Sequence, residues 1–332
     1  MRKLATIRVV NDLKPIAGAD LIELAIVDGW KCVVKKGDFA VGSPVIYCEI
    51  DSFLPIRDEF EFLRKSSYRK LESQEGFRLR TMKLRGQVSQ GLLLNTTLLG
   101  RPFEVGEDVS AELGIIKYDP PLPTSLGGNV SGPFPAFISK TDEERVQNLA
   151  NDYHTFFHKP FTVSEKIDGT SFTAFLNNGI FGVCGRNWEL AESEQNSHWR
   201  VARMLNIQDR LASITRSYAL QGELVGPGIQ GNRYRLKTLE LYLFNIFDIE
   251  SSSYVDKETF EQLCSQLDLK SVPKIGVYEV PKSIDEILSF AEGSSLINSN
   301  TDREGLVWVH GSGDSRISFK TISNRFLTKY DE

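Results

Sequence analysis

A stretch rich in proline and glycine divides this chain of 332 residues into two unlike parts. Proline lacks a backbone donor and glycine weakens regular structure, so neither a helix nor a central strand fits there. We therefore predict a linker over 119–136, between a small domain over 1–118 and a larger one over 137–332. The residues that mark the linker are Pro120, Pro121, Pro123, Gly127, Gly128, Pro133 and Pro135.

The first domain reads as short strands separated by turns. Runs rich in Val, Ile and Leu are punctuated by Gly and Asp, and Asp28-Gly29 between two of them predicts a hairpin. Small all-β modules usually close into barrels, which hides their edges. The predicted strands are Leu4–Val10, Leu21–Val27, Lys31–Lys35, Pro44–Ile50 and Gly91–Leu94.

This order of strands, with its Lys35-Lys36-Gly37-Asp38 turn and the run Val88 to Leu94, resembles the oligonucleotide-binding (OB) barrel family. It is similar to the variant that is appended to tRNA synthetases. The resemblance implies a small β-barrel that binds nucleic acid. The alternative is a barrel that only packs against its neighbour.

A basic segment over 57–85 bears on nucleic-acid binding. Its nine Lys and Arg residues are interleaved with aromatic residues, which favours RNA contact, but its acidic residues favour an ordinary solvated face equally. The net charge of −5 speaks against indiscriminate nucleic-acid binding without excluding local sites.

The second domain mixes strand-like and helix-like segments without βαβ regularity, which predicts an α+β fold. No Gly-rich loop follows its first strand, so a Rossmann or P-loop nucleotide site is not supported. The predicted helices are Thr141–Asn151, Trp199–Ile207, Asp256–Leu267 and Ser283–Glu292. The predicted strands are Phe161–Lys166, Ser171–Leu176, Phe181–Cys184, Ala219–Leu224, Leu241–Asp248, Gly305–Val309 and Ile317–Lys320.

The segment Ser164-Glu165-Lys166-Ile167-Asp168-Gly169 carries the main chemical signal. Taken alone, Lys-x-Asp-Gly favours a turn between two strands over a nucleophile. A lysine that attacks phosphorus must lose its proton, which burial and nearby cations favour. Such a site also needs further cations, carboxylates that orient a metal, and an aromatic face for a base.

Later segments supply these parts in order. They are Cys184-Gly185-Arg186-Asn187, Gln221-Gly222-Glu223 with the glycine-rich turn to Asn232, Leu243 to Ile249, Arg303-Glu304-Gly305, and Arg316 to Lys320. The series resembles motifs I, Ia, III, IIIa, IV and V of the covalent nucleotidyltransferase superfamily, which contains polynucleotide ligases and mRNA capping enzymes. With the barrel in front, it is most similar to the smaller group of ATP-dependent RNA ligases, which seal nicks.

That resemblance implies a role for each matching residue in an ATP-grasp-like ligase domain. Lys166 would be the nucleophile that forms a lysyl–AMP bond, and Lys320 would contact the α-phosphate. Asp168, Glu223 and Glu304 would hold Mg²⁺ or Mn²⁺, and Glu223 would also lie at the nucleotide. The remaining nucleotide contacts would be Glu165, Arg186 and Phe247, the last stacking on adenine. Motif V of the family usually reads Lys-x-Lys, but the second position is Ile322 here; either the second lysine is dispensable or a residue such as Arg316, Arg325 or Lys329 replaces it.

The implied activity is RNA repair by joining 3′-OH and 5′-phosphate ends with ATP. The expected substrate is nicked duplex RNA or an RNA/DNA hybrid, bound by a monomer that does not contact membranes. Four scattered cysteines and the absence of a signal-like N-terminus predict a cytoplasmic or nuclear protein. Two alternatives stay open: a GTP-using capping-type guanylyltransferase and an inactive module that binds RNA or tRNA.

Overall fold

The computed structural model describes residues 3–71, 74–118 and 130–330, so residues 119–129 of the predicted linker lie outside the described residues. The chain divides into two compact units. The first comprises Met1–Pro121, Val146–His154 and Asn324–Glu332; the second comprises Leu122–Arg145 and Thr155–Ser323. Two segments that follow the linker in sequence therefore group with the first unit.

The first unit is built from short strands. They are β1 Ala5–Val9, β2 Asp12–Pro15, β3 Ile22–Val27, β4 Trp30–Lys35, β5 Pro44–Cys48, β6 Ser52–Pro55, β7 Tyr68–Lys70, β8 Glu75–Arg78, β9 Met82–Leu84, β10 Gln87–Ser89, β11 Leu92–Asn95 and β12 Ile116–Lys117, with helix α1 Arg64–Ser67 and 3₁₀ turns Asp58–Leu63 and Thr96–Leu99. The sheets run in the orders β1-β5-β11, β2-β3-β4, β12-β6-β8-β7 and β9-β10.

The five strands predicted for this region correspond to β1, β3, β4, β5 and β11 and are confirmed. The predicted hairpin at Asp28-Gly29 is also confirmed: Val27 pairs with Trp30, and Asp28 adopts a φ of 52°, as a tight primed turn requires. The strands of the basic segment, β7 to β10, have few apolar residues and were not predicted.

The second unit contains two sheets and four helices among its described residues. Its strands are β13 Val130–Pro133, β14 Glu144–Arg145, β15 Phe161–Lys166, β16 Thr170–Asn177, β17 Ile180–Cys184, β18 Trp188–Leu190, β19 Tyr218–Val225, β20 Glu240–Asp248, β21 Ser253–Tyr254, β22 Lys274–Tyr278, β23 Gly305–His310 and β24 Ile317–Ile322. Its helices are α2 Ser197–Met204, α3 Ile207–Ala212, α4 Lys257–Gln266 and α5 Ile284–Phe290; α6 Asn324–Tyr330 belongs to the first unit. Further 3₁₀ turns are Val146–Leu149, Tyr153–Phe156, Gln230–Asn232 and Gly313–Ser315.

The two sheets of the second unit are joined by the chain itself. The larger sheet runs β13-β18-β17-β16-β19-β20-β21 and the smaller runs β14-β24-β23-β15-β22. Residues 167–169 lead from β15 in the smaller sheet directly to β16 in the larger one. The end of the predicted linker, Val130–Pro133, forms the edge strand β13.

Apolar side chains explain why these strands form. The helices α2, α3 and α4 pack on the larger sheet through residues such as Trp199, Leu211 and Phe260. In β15, buried and partly exposed residues alternate from Phe161 to Lys166, as expected for a strand with one covered face. Phe161 makes ring contacts with Phe319 in that covered face, at 5.4 Å between centroids.

Two helix predictions need correction. The predicted helix Thr141–Asn151 is wrong, because Glu144 and Arg145 pair in parallel with β24 and a 3₁₀ turn follows. Tertiary pairing therefore outweighs the local capping signal. The predicted helix Trp199–Ile207 is broken at Asn206, which has a φ of 48°, so that α3 begins at Ile207.

The segment Val146–His154 is attached to the strands of the first unit through Asn148. The side-chain oxygen Oδ1 of Asn148 accepts hydrogen bonds from Trp30 Nε1 at 2.8 Å and from Arg8 Nη2 at 3.2 Å. Its amide donates to Glu49 Oε1 at 2.7 Å. Trp30 and Glu49 are almost fully buried, so Asn148 satisfies polar groups that water reaches poorly.

We therefore expect Asn148→Ala to lower the free energy of unfolding by about 2 kcal/mol, because it leaves buried polar groups without a partner. The check is urea unfolding followed by tryptophan fluorescence. Asn151→Ala, at an exposed position three residues away, serves as the control. Equal stability of the two variants would contradict the anchoring role.

Candidate active site

The register of the smaller sheet determines where Lys166 lies. Lys166, the last residue of β15, pairs with Gly305, the first residue of the antiparallel strand β23. Glu304 immediately precedes Gly305, so its carboxylate reaches the lysine. The Lys166 Nζ atom donates to Glu304 Oε1 at 2.6 Å.

Two further carboxylates surround the turn that follows Lys166. Glu223, on β19 of the larger sheet, accepts a hydrogen bond from the Gly169 backbone at 3.1 Å. Asp168 pairs with Arg233 at 2.8 Å, and its backbone N–H donates to the Tyr234 hydroxyl at 2.7 Å. The structure thus brings together Lys166 and the three carboxylates that the sequence assigned to a metal.

The glycine of the Lys-x-Asp-Gly segment is required because the turn passes very close to strand β19. A Cβ atom at Gly169 would collide with the carbonyl oxygen of Leu224 and lie 2.6 Å from Val225 Cγ1. Only glycine therefore lets the turn pack against β19. This contact holds the turn where Glu223 can bind its backbone.

The carboxylates set the charge state of Lys166. Burial disfavours its ammonium form, but Glu304, Glu223 and Asp168 outweigh burial and raise the pKa of the amine. Burial raises the pKa of Glu223 to about 8, although the ammonium group of Lys166 opposes that shift. Burial and Glu304 raise the pKa of Asp168 to about 7. The site therefore holds three carboxyl groups beside two cations, Lys166 and Arg233, so protons or a metal ion must supply the remaining positive charge.

The donor set fits a divalent cation. Carboxylate oxygens are preferred by Mg²⁺ and Mn²⁺, and Glu304 Oε2 is buried with no hydrogen-bond partner among the described residues. Within those residues, however, no three His, Cys, Asp or Glu side chains are grouped closely enough to chelate a metal. Mg²⁺ often binds through only one or two carboxylates and keeps several waters, so Asp168, Glu223 and Glu304 would hold it partly through water.

A second group of charges lies on the same face of the smaller sheet. Lys320 on β24 is opposite Val307, which is opposite Ser164, two residues before Lys166. Side chains at such positions share one face of a sheet. Burial lowers the pKa of Lys320 to about 8; Asp142 opposes this shift, while Arg145 and Lys166 reinforce it.

Asp142 links Lys320 to Arg186. Its carboxylate lies 3.2 Å from Lys320 Nζ and 3.2 Å from the Arg186 guanidinium. Asp142 and Arg186 are about half exposed, so the pair faces solvent. Two cations that share one carboxylate form a site that another anion can occupy by displacing it. The neighbouring Glu143 makes a similar pair with Arg316 at 3.0 Å.

Two residues that were predicted to contact the nucleotide, Glu165 and Phe247, do not lie on the sheet face that carries Lys166 and Lys320. Glu165 lies on the face of β15 opposite to Lys166, where it is buried and accepts a hydrogen bond from the Leu296 backbone at 2.7 Å. Phe247 is only 5% exposed and packs in an apolar cluster with Phe175 and Ala219. Their roles toward a nucleotide stay predictions.

Several residues at the site were not found from the sequence. Arg233 and Tyr234 follow the glycine-rich turn, which was interpreted only as a turn. Phe244, at a β-bulge in β20, packs against the apolar cluster that contains Ile167 and Tyr234, beside the nucleophile segment. Neither a long-range ion pair nor a bulge leaves a local pattern that could have identified these residues.

Comparison with known proteins identifies both parts of the chain. A family model described as an OB-fold domain matches residues 4–96, and one described as RNA ligase matches residues 159–322. No match was found among curated proteins.

Solved structures of an RNA ligase from Naegleria gruberi resemble the whole chain. A lysine-to-alanine variant with ATP and Mn is 44% identical, with a TM-score of 0.93 and 99% of each chain covered. A glutamate-to-alanine variant with AMP and Mn gives the same identity, score and coverage. A structure with PPi is 44% identical with a TM-score of 0.92, covering 100% of this chain and 99% of that one.

These matches define an OB-fold domain followed by an α+β ligase domain, as predicted. The chain belongs to the RNA ligase family. The prediction of an ATP-dependent RNA ligase of the covalent nucleotidyltransferase superfamily is thereby confirmed. In the described part of the chain, no helix is both long and apolar enough to cross a membrane.

The geometry around Asp142 predicts how an anion binds. Asp142→Asn removes the charge that competes for Lys320 and Arg186, so inorganic pyrophosphate should bind about 3- to 10-fold more tightly, roughly 1 kcal/mol. Calorimetric titration at pH 6.5, where Lys320 is protonated, measures this.

The matched control for this change is Asp209→Asn, on an exposed position of α3. It should leave pyrophosphate affinity at the wild-type value. Weaker or unchanged binding to Asp142→Asn would show that Asp142 orients the cations and does not compete with the anion.

Proposed function

We propose that this ligase uses ATP to join a 3′-OH end to a 5′-phosphate end of RNA, with Lys166 as the nucleophile. The observation that carries the proposal is the Lys166 amine, held 2.6 Å from Glu304 and on the same sheet face as Lys320. The structures of the Naegleria gruberi enzyme with ATP and Mn, and with AMP and Mn, support this choice of nucleotide.

In the first step, Nζ of Lys166 bonds to the α-phosphorus of ATP. The bond to the β-phosphate oxygen breaks, pyrophosphate leaves, and the amine loses a proton. The AMP then passes to the 5′-phosphate of an RNA strand, which frees Lys166. A 3′-OH finally attacks that activated phosphate and expels AMP. One site can serve all three steps, because each needs only positioned groups and charge neutralisation.

The carboxylates make the first step depend on a cation. Because they raise the pKa of Lys166, the amine is protonated before the nucleotide arrives. A divalent cation at Asp168, Glu223 and Glu304 would neutralise these carboxylates and favour the neutral amine. Glu304 then keeps Nζ oriented through its hydrogen bond.

Lys320 and Arg186 supply positive charge for the phosphates. Lys320 lies on the same sheet face as Lys166, and Arg186 shares its carboxylate partner. A phosphate that displaces Asp142 would contact both cations at once. Asp142 would then neutralise these cations only until the phosphate binds. Since charge develops on phosphoryl oxygens during transfer, these contacts strengthen toward the transition state.

We further propose that the substrate is nicked duplex RNA or an RNA/DNA hybrid, sealed by a monomer in the cytoplasm or nucleus. Residues 1–118 would grip the duplex and residues 137–332 would carry out the chemistry. The hairpin β9–β10 offers positive charge for this grip, from the exposed side chains of Lys83 on β9 and Arg85 in the turn.

The nucleophile assignment predicts an AMP adduct on wild-type protein and none on Lys166→Ala. Intact mass measured after incubation with ATP and Mn²⁺ checks this, on protein first confirmed to be free of AMP. Lys159→Ala, seven residues earlier, should form the adduct normally. GTP in place of ATP should give no adduct, and a GMP adduct would favour the capping-type alternative. Full nick sealing by Lys166→Ala would sink the mechanism.

The barrel proposal predicts that Lys83→Ala combined with Arg85→Asn weakens binding of nicked duplex RNA about 5- to 20-fold, since phosphate contacts are lost. Asn is chosen because Arg85 has a φ of 49°, which Asn tolerates. Fluorescence anisotropy measures the affinity, and AMP adduct formation should not change. Unaltered RNA affinity would remove this hairpin from the proposed interface.

A further inference from the structure

A cavity of about 750 Å³ lies beside helix α2 in the second unit. One wall is α2, with Arg200, Val201 and Arg203, and the other includes Lys237 and Leu239 from the segment before β20. None of the residues assigned above to catalysis lines it. Its size falls in the range of about 300–1,000 Å³ that is typical of ligand sites.

The cavity is positively charged although the whole chain is acidic. In the described part of the chain, the exposed side chains of Arg200 and Lys237 have neither a salt bridge nor a hydrogen bond. Arg203 is partly neutralised by Glu192 at 2.6 Å, and Glu194 is the one carboxylate in the lining. Unpaired cations in a concave surface attract an anion, because their charge is not used by the protein.

The lining also offers apolar surface. Met204 is 54% exposed and Pro227 is exposed, whereas Leu239 is 9% exposed and Val201 is fully buried behind them. A small inorganic anion would not use this apolar surface. A nucleotide would, because it combines a phosphate with the apolar faces of a ribose and a base.

The second wall connects the cavity to the nucleophile turn. The segment that begins at Gly226 and ends at Leu239 also carries Gln230, which donates to the Gly169 carbonyl at 3.2 Å. The same segment carries Arg233, which pairs with Asp168 at 2.8 Å. A ligand in the cavity would therefore rest on the segment that holds the residues following Lys166.

We propose that this cavity binds one nucleotide of the RNA strand next to the end being joined, with Arg200 and Lys237 on its phosphate. The proposal rests on the function proposed above and names where the RNA substrate is held. The cavity contributes affinity and strand position; it takes no part in forming lysyl–AMP.

The test is a double variant, Arg200→Ala with Lys237→Ala, titrated with fluorescent nicked duplex RNA at several salt concentrations. We expect the Kd to rise about tenfold. The slope of log Kd against log salt should fall by about 1 to 2, because a variant that makes fewer phosphate contacts releases fewer counterions when it binds RNA. Formation of the AMP adduct from ATP should stay at the wild-type rate, which also shows that the variant is folded.

Two further variants sharpen the result. Lys282→Ala removes an exposed cation outside the cavity and should leave the Kd and slope unchanged. Arg200→Lys with Lys237→Arg keeps the charges and should restore most of the affinity. Wild-type Kd and slope in the double alanine variant would overturn the proposal.

Other outcomes separate this proposal from the proposed function. If the double variant needs more ATP for adduct formation while its RNA affinity is unchanged, the cavity binds free nucleotide and the proposal is wrong. If wild-type protein forms no adduct and seals no nick, the proposed function has failed. If the wild-type protein seals nicks and the double variant keeps the wild-type RNA affinity, the cavity proposal is wrong while the proposed function stands.

Discussion

The contact between the Lys166 amine and the Glu304 carboxylate depends on the register of two antiparallel strands. A shift of β15 by one residue would turn every side chain to the other face and exchange Lys166 with Glu165. Buried aromatic residues oppose such a shift: Phe161 lies in the covered face together with Trp308 and Phe319. The apolar core of the smaller sheet therefore specifies the chemistry on its opposite face, and the site needs no loop to position its nucleophile.

Charge is distributed unevenly along that face. Around Lys166 the carboxylates are in excess, whereas Lys320 and Arg186 share a single carboxylate from Asp142. The region around Lys166 can therefore bind a cation, and the region around Lys320 and Arg186 can bind an anion. A nucleotide accompanied by a divalent cation carries both, so it satisfies each region in one binding event. Asp142 supplies the negative charge next to Lys320 and Arg186 in the structure.

Seven strands of the second unit could be predicted from the sequence, because each is a run of apolar residues bounded by turn formers; the other five, β13, β14, β18, β21 and β22, were not predicted. Lys166, Asp168, Glu223, Glu304 and Lys320 occur at strand ends or strand faces, where pattern and motif agree. The failures have physical causes. The segment from Thr141 carries a good helix cap, but pairing with β24 offers its backbone a better set of partners. The nucleotide role assigned to Phe247 stays a prediction: its side chain is buried in an apolar cluster, while Phe244 packs beside the segment that carries Lys166.

The distribution of cations shows why a sequence window is a poor guide to RNA contact. Within the basic segment over 57–85, Arg64 pairs with Glu61 and Lys70 pairs with Glu75, whereas Lys83 and Arg85 are exposed. A phosphate that binds a paired cation must first displace its carboxylate, which lowers the affinity of the phosphate. Arg200 and Lys237 lie far apart in sequence and form no cluster that a window would detect. Folding places them in one cavity, where unpaired charge lies next to exposed apolar surface. For an acidic protein that acts on a polyanion, the pairing state of each cation matters more than the number of cations, and only the structure shows it.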